Sequence, residues 1–341
     1  MSPQHVLVIN VSRIGDTLLA TPAIRALAAA WPAASVDVLG HPNRIEVLQH
    51  LPFVRRVAAI SKKSAPFRGW LDMITKPYDL AVVYGNDEAL VAYALRVAKR
   101  VAAFRQASDR INARLAVLVE PPAFQSDHAV PLLLRLPAAL GVSRAGLRLS
   151  YTVSAAERAW AAATLARDLP AGATPIVGLQ VASFPTKAYR DWPVESFMEL
   201  CERVRENWPQ AHFLIFGGGE EHQRTAALKA RIGAAATLYA GRLSLRQTGA
   251  LLNRLDIYIG VDTGPTHLMS AFDIPLVGLY HGFSRSELIA PLEHPCFFPV
   301  DHPLAGPGCS TEVSMADITV DRVWQAVQQA LTENPGKTRP Q

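Results

Sequence analysis

Residues 257–267 read Ile-Tyr-Ile-Gly-Val-Asp-Thr-Gly-Pro-Thr-His. An apolar run of strand length ends at Val261, and Asp262-Thr263-Gly264-Pro265 then turns the chain into a helix. Gly264 permits close backbone approach, and Pro265 suits a first helical turn, where no N–H partner is lost. A strand that feeds straight into a helix is a building unit of a parallel sheet. In such sheets ligands sit beyond the carboxyl ends of the strands. A helix start at that place presents free N–H groups and the positive end of its dipole, which suits a phosphate. Thr263 and Thr266 add hydroxyl donors. The same residues also make an ordinary strand–turn–helix capped by Asp262 or Thr263. Taken by itself, the segment fits both readings.

The alternation of strand and helix extends in both directions. Downstream come a strand at 276–280 and a last helix at 320–332. Upstream, strands at 175–180, 213–216 and 238–240 are separated by helices at 194–208, 223–231 and 244–254. A helix at 154–168 opens with Ser154 and carries Glu157 three residues on, a capping-box signature. The first half shows the same series: a strand at 6–10, a helical pattern to Trp31-Pro32, strands at 35–39 and 80–84, and a helix at 89–97. Two such series joined near 142–175 predict an α/β protein of two Rossmann-like domains, at 1–150 and 151–319. A closing segment follows at 320–341, its polar end from 334 frayed. A length of 341 residues suits two domains.

The formal net charge of +5 suits an anionic ligand or surface and does not by itself point to nucleic acid. Cys201, Cys296 and Cys309 are odd in number and lack CxxC spacing, which argues against a disulfide framework or a zinc site and fits a reducing cytoplasm. Met-Ser-Pro-Gln-His runs directly into a strand, so no secretory leader is expected. No apolar stretch reaches the ~18 residues of a bilayer span, so any contact with a membrane is peripheral. No GxSxG, HExxH or P-loop pattern occurs. No DxD pair occurs either, so a metal-bridged diphosphate is not expected.

Three more segments can carry chemistry. After the first strand, Ser12-Arg13-Ile14-Gly15-Asp16-Thr17 places the carboxylate of Asp16 at a helix mouth, as a catalytic group or an N-cap. One glycine there makes a poor dinucleotide loop. After the strand at 175–180, Ser183, Thr186, Lys187 and Arg190 can bind and neutralise a diphosphate, or form a solvated basic loop. Phe216-Gly217-Gly218-Gly219-Glu220-Glu221 allows close ligand approach and sets an acid beside it for ribose hydroxyls. It is also the composition of a flexible loop. His267, one turn into the Asp-Thr-Gly helix, and His281, at a strand end, serve either a ligand or local hydrogen bonds.

Together, Ser-Arg-Ile-Gly-Asp-Thr, Lys-Ala-Tyr-Arg-Asp-Trp-Pro, Phe-Gly-Gly-Gly-Glu-Glu and Gly-Val-Asp-Thr-Gly-Pro-Thr-His-Leu resemble glycosyltransferase family 9, in that family's order. Its known members include the ADP-heptose:lipopolysaccharide heptosyltransferases. The closing stretch Met315 to Val323 is similar to the family's own. The resemblance implies a GT-B fold, two Rossmann-like domains facing across a cleft, with the final helix crossing back to the first domain. It implies inversion at the anomeric carbon with no metal and no cofactor beyond the nucleotide-sugar, ADP-linked in the best-known members. Asp16 matches the family's general base. Asp262, Thr263, Gly264 and His267 match its donor-site positions, and Glu220, or Glu221 one residue on, its ribose-contacting acid. Arg190 stands where the family usually has Lys, and Lys187 is the alternative cation. More loosely, Lys62, Lys63 and Arg68, ahead of Trp70, resemble a basic loop that meets an anionic glycan or glycolipid acceptor. The implied setting is the cytoplasm, at the inner face of the inner membrane, with no nucleic-acid partner. Two other readings of the fold are a nucleotide-sugar epimerase or hydrolase and a silent nucleotide-sugar binder.

Overall fold

The computed structural model describes residues 2–123 and 125–333. The expected frayed tail at 334–341 lies outside the described residues. The chain divides into two compact units, Met1–Thr152 and Val153–Gln341.

The first unit contains β1 (His5–Asn10), β2 (Ser35–Gly40), β3 (Arg56–Ala59), β4 (Tyr78–Val83), β5 (Ala98–Phe104) and β6 (Val117–Val119). They form one sheet in the order β3-β2-β1-β4-β5-β6, parallel throughout. Its helices are α1 (Ile14–Leu19), α2 (Thr21–Ala30), α3 (Glu88–Val97), α4 (Asp109–Asn112) and α5 (Ala129–Ala139). The expected single helical pattern up to Trp31 is broken into α1 and α2. Pro22 has no N–H to give back to Leu18. The Thr21 hydroxyl donates to the Leu18 carbonyl instead, at 2.7 Å. Arg25 of α2 then ties down the end of the unit, donating to the carbonyls of Ala145 and Arg148 at 2.8 and 3.0 Å and to Ser150 Oγ at 2.7 Å.

The second unit repeats the plan with β7 (Ile176–Gln180), β8 (His212–Phe216), β9 (Ala236–Leu238), β10 (Ile257–Val261), β11 (Leu276–Tyr280) and β12 (Phe297–Asp301). Their order is β12-β11-β10-β7-β8-β9, again all parallel. The helices are α6 (Ala155–Asp168), α7 (Val194–Asn207), α8 (His222–Ile232), α9 (Leu245–Leu252), α10 (Gly264–Met269), α11 (Ser286–Ile289) and α12 (Val320–Glu333). Every residue of β7, β8, β10 and β11 is buried, as expected of strands covered on both faces. At Gly260 a Cβ would lie 2.8 Å from the Tyr258 ring and 2.9 Å from Gln180 Cβ, so this position must stay bare for β10 to lie against β7. Trp192, Phe197 and Phe213 fill the core. The closing helix α12, expected from the resemblance to cross back to the first domain, buries Val323, Val327 and Ala330 in this second core.

Both sheets therefore have the same doubly wound order. The chain starts at a central strand, steps outward, and returns to the other side of where it began. Each sheet has one topological switch point, between β1 and β4 and between β7 and β10, which is where such sheets hold ligands.

Candidate functional site

Because β10, β7 and β8 are adjacent and parallel, the loops that leave their carboxyl ends emerge side by side. The β10 loop brings Asp262, the β7 loop Lys187 and Arg190, and the β8 loop Glu220 and Glu221. Asp262 is only 1% exposed, with Arg190 Nη1 2.5 Å from Oδ2 and His267 Nε2 3.2 Å from Oδ1. Burial alone would raise the Asp262 carboxyl, but His267 and Arg190 outweigh it and hold it below the ordinary carboxylate range.

The β7 loop is shaped by Asp191, which the sequence reading did not single out. Its carboxylate accepts from Ser183 N at 2.7 Å and lies 2.7 Å from Ser183 Oγ and 3.6 Å from Arg224 Nη1. Burial pushes this carboxyl above its usual range despite those partners. Next to it the Trp192 indole donates to the Ile318 carbonyl at 2.8 Å. An acid between a basic run and a Trp-Pro pair was the available signal. Ser183, expected at the donor, is buried in this brace, while Thr186 is exposed. Tyr189, also missed, is a ring platform. Lys187 Nζ and Arg190 Cζ lie 5.6 and 5.5 Å from its centroid, and His281 packs against it edge-on at 4.9 Å. Cations over an aromatic face are attracted by its quadrupole.

On the β10 side, Thr263 precedes α10 in extended conformation and Gly264 begins the helix. Thr266, expected among the donor contacts, turns under the helix. Its hydroxyl donates to the Val261 carbonyl at 2.5 Å and lies 2.9 Å from the Tyr258 hydroxyl. A hydroxyl so engaged braces the turn from below. On the β8 side Glu221 turns back to accept from the Gly218 N–H, while Glu220 is exposed. Of the two acids, Glu220 is the one directed outward. His281 accepts from Phe283 N at 3.0 Å through Nδ1 and sets Nε2 3.1 Å from the Val313 carbonyl, so both ring nitrogens serve the fold.

In the first unit, Asp16 sits in the first turn of α1, just past β1 at that sheet's switch point. It is exposed and accepts from Ser12 Oγ at 2.9 Å. Lys62, Lys63 and Arg68 follow β3 and so share the carboxyl-end edge. Lys62 pairs with Asp87 at 3.1 Å, Arg68 donates to the Ala59 carbonyl at 2.7 Å, and Lys63 is exposed. A separate hollow lined by Arg25, Pro32, Ser35, Phe53 and Arg55 opens at the amino ends of β2 and β3, away from all of these groups.

The family model of glycosyltransferase family 9 (heptosyltransferase) matches residues 75–296, well over half of the chain. The chain belongs to glycosyltransferase family 9. It is 24% identical over 293 residues to lipopolysaccharide heptosyltransferase 3 of Escherichia coli, covering 78% of this chain and 80% of that one. Its fold is similar to that of the glycosyl transferase family 9 protein from Veillonella parvula, with a TM-score of 0.84 at 16% identity over 97% and 98% of the two chains. It is also similar to Escherichia coli ADP-heptose lps heptosyltransferase II, with a TM-score of 0.80 at 20% identity over 97% and 100%. The two doubly wound units are thus a GT-B pair, and the chain is a family 9 glycosyltransferase. Among the described residues, no helix is long and apolar enough to cross a membrane.

Proposed function

We propose that this glycosyltransferase moves heptose from ADP-heptose onto a lipopolysaccharide-core or related glycan acceptor, with inversion and without a metal. The observation that carries the reading is a buried Asp–Arg–His cluster and two cations over a tyrosine ring at the β7–β10 switch point, with an exposed acid on the neighbouring β8 loop. Its likeness to a lipopolysaccharide heptosyltransferase and to an ADP-heptose lps heptosyltransferase supports the choice of sugar and acceptor.

In this account Glu220 takes the ribose hydroxyls. The start of α10 at Thr263 and Gly264 meets the diphosphate, with Lys187 as the cation. Arg190 already shares its charge with Asp262, so it fixes the turn and adds to the positive field. Fixed donors of this kind stabilise the charge that develops on a leaving diphosphate without reorganising. On the acceptor-side unit Asp16 takes the proton of the attacking hydroxyl, while the C–O bond to the diphosphate breaks on the opposite face of the sugar. Lys62, Lys63 and Arg68 hold an anionic acceptor. The reaction takes place in the cytoplasm, at the inner face of the inner membrane.

Thermal denaturation with ADP, UDP and GDP tests the donor assignment. The nucleotide that matches the site raises the midpoint most, by mass action. A larger shift with UDP or GDP than with ADP contradicts an ADP-linked donor. Excess chelator is expected to leave turnover unchanged, and its loss on chelation contradicts the metal-free step.

A further inference from the structure

Five of the eight large apolar side chains exposed among the described residues fall within eight consecutive positions: Phe67, Trp70, Leu71, Met73 and Ile74. Phe67, Leu71 and Ile74 are 84%, 94% and 95% exposed. Scattered exposed apolar groups are ordinary, but a dense patch marks a surface that meets something.

The patch is displayed on a braced backbone. Short turns at Ala65–Phe67 and Leu71–Met73 form the segment. Arg96, buried on α3, donates from Nε to the Arg68 carbonyl at 3.0 Å and from Nη2 to the Ala65 carbonyl at 2.5 Å. Its guanidinium lies 4.6 Å from the Trp70 ring centroid, and the Trp70 indole donates to the Pro66 carbonyl at 2.8 Å. Gly69 has φ +74°, and a Cβ there would come within 2.7 Å of Val97 and 2.9 Å of Tyr93. The main chain is thus clasped onto α3 while five apolar side chains are left in water.

The charges around the patch select its partner. Lys62, Lys63, Arg68 and Lys76 stand in the same stretch against Asp72, and against Asp87, which pairs with Lys62 at 3.1 Å, leaving a net positive rim. Aromatic and branched apolar groups flanked by cations suit the boundary of an anionic bilayer, where the apolar groups enter and the cations meet headgroups. A second copy using the same patch would set this cationic rim against its twin, which repels.

We propose that residues 61–76 dock the first unit peripherally on an anionic lipid bilayer. Phe67, Trp70, Leu71 and Ile74 enter the interfacial layer, and Lys62, Lys63, Arg68 and Lys76 contact the headgroups. The segment runs from the carboxyl end of β3 back to the amino end of β4, and its Gly69 lies against Tyr93 and Val97 towards the end of α3, so the apolar patch faces the amino-end side of the sheet and not the edge that bears Asp16. Lys62, Lys63 and Arg68, which the proposed function gives to an anionic acceptor, meet lipid headgroups when no acceptor is present, so docking can be tested without one.

Sedimentation of the full chain with vesicles tests this without any sugar nucleotide present. The chain is expected to bind phosphatidylcholine vesicles containing phosphatidylglycerol, to bind pure phosphatidylcholine less, and to release as salt screens the cations. The triple variant Phe67→Ser, Leu71→Ser, Ile74→Ser is expected to lose about tenfold or more in partitioning. Leu304→Ser, which alters an exposed apolar group of the second unit, is expected to change nothing. Brominated lipid is expected to quench tryptophan emission in the parent chain and much less in Trp70→Phe, a mild change that reports depth even if the triple variant misfolds. Equal binding by the triple variant, quenching unaffected by Trp70→Phe, or no vesicle binding at all would overturn the proposal. So would self-association that the triple variant abolishes in the absence of vesicle binding, which would make the patch a contact between copies.

Discussion

Asp262 is a fully buried carboxylate held between a guanidinium and an imidazole. A buried charge of this kind persists only with its partners, and removing one partner of a buried pair costs about 3–5 kcal/mol. The two cations of the β7 loop therefore have different work, although the sequence offers them as alternatives. Arg190→Ala is expected to lower the melting temperature, because Asp262 loses its nearer cation. Lys187→Ala, half-buried over the Tyr189 ring, is expected to leave the melting temperature almost unchanged. It should weaken ADP binding by about tenfold, the scale of one hydrogen bond to a charged group. Calorimetric melting and titration of both variants decide this. A Lys187→Ala protein that binds ADP as well as the parent removes Lys187 from the diphosphate. The side chains of Ser183 and Thr266 show why such roles are hard to read from sequence. Both are hydroxyls just past strand ends, Ser183 in a loop and Thr266 in the first turn of α10, yet one is spent on Asp191 and the other on the Val261 carbonyl. The direction of a hydroxyl is set by the packing of the turn.

At the scale of elements, the start of α6 couples a local signal to a distant partner. Ser154 Oγ accepts from Glu157 N at 3.3 Å and Glu157 Oε2 accepts from Ser154 N at 2.8 Å. The same carboxylate receives Arg246 of α9 in a fork, at 2.7 and 2.6 Å. Burial by itself would raise the Glu157 carboxyl. Arg246 and Ser154 outweigh it and bring it down from 4.5 to about 2. A carboxyl depressed on folding adds stability that is complete above its unfolded value and lost as pH falls through its folded one. The stability difference between the parent chain and Glu157→Gln is therefore expected to be largest near neutrality. It should shrink by as much as about 3 kcal/mol as pH falls from 4.5 towards 2. Denaturant titrations across that range measure it, and a difference independent of pH refutes the coupling. The capping box was legible because both halves lie within four residues, whereas Arg246 lies 89 residues away. Elements without local punctuation were missed. β5 follows α3 with no turn residue between them, and β3, β6 and β12 are short edge strands with few buried positions. Pro22 split a helical pattern that the apolar spacing had joined.

For the whole molecule, the repeated alternation of strand and helix was sufficient to predict two doubly wound units, because fully buried parallel strands must be apolar runs separated by helices. The position of the switch points was not legible, since strand order depends on pairings that no local pattern records. Those pairings place Asp16 at the switch point of one sheet, and Asp262 and Lys187 at that of the other, with Glu220 on the adjacent β8 loop. The stretch at 61–70 was legible only as a basic loop ahead of a tryptophan, with 71–76 not singled out. That its apolar side chains stay in water follows from the clasp of Arg96, a tertiary fact. The central claim assigns proton removal to the first unit and donor binding to the second. It is tested most directly by measuring, in Asp16→Asn, the rate of heptose transfer from ADP-heptose together with the affinity for ADP. A positioned base contributes ~10²–10⁴-fold, so turnover is expected to fall by that factor while ADP affinity stays as in the parent chain. Turnover within a few-fold of the parent chain would contradict the account.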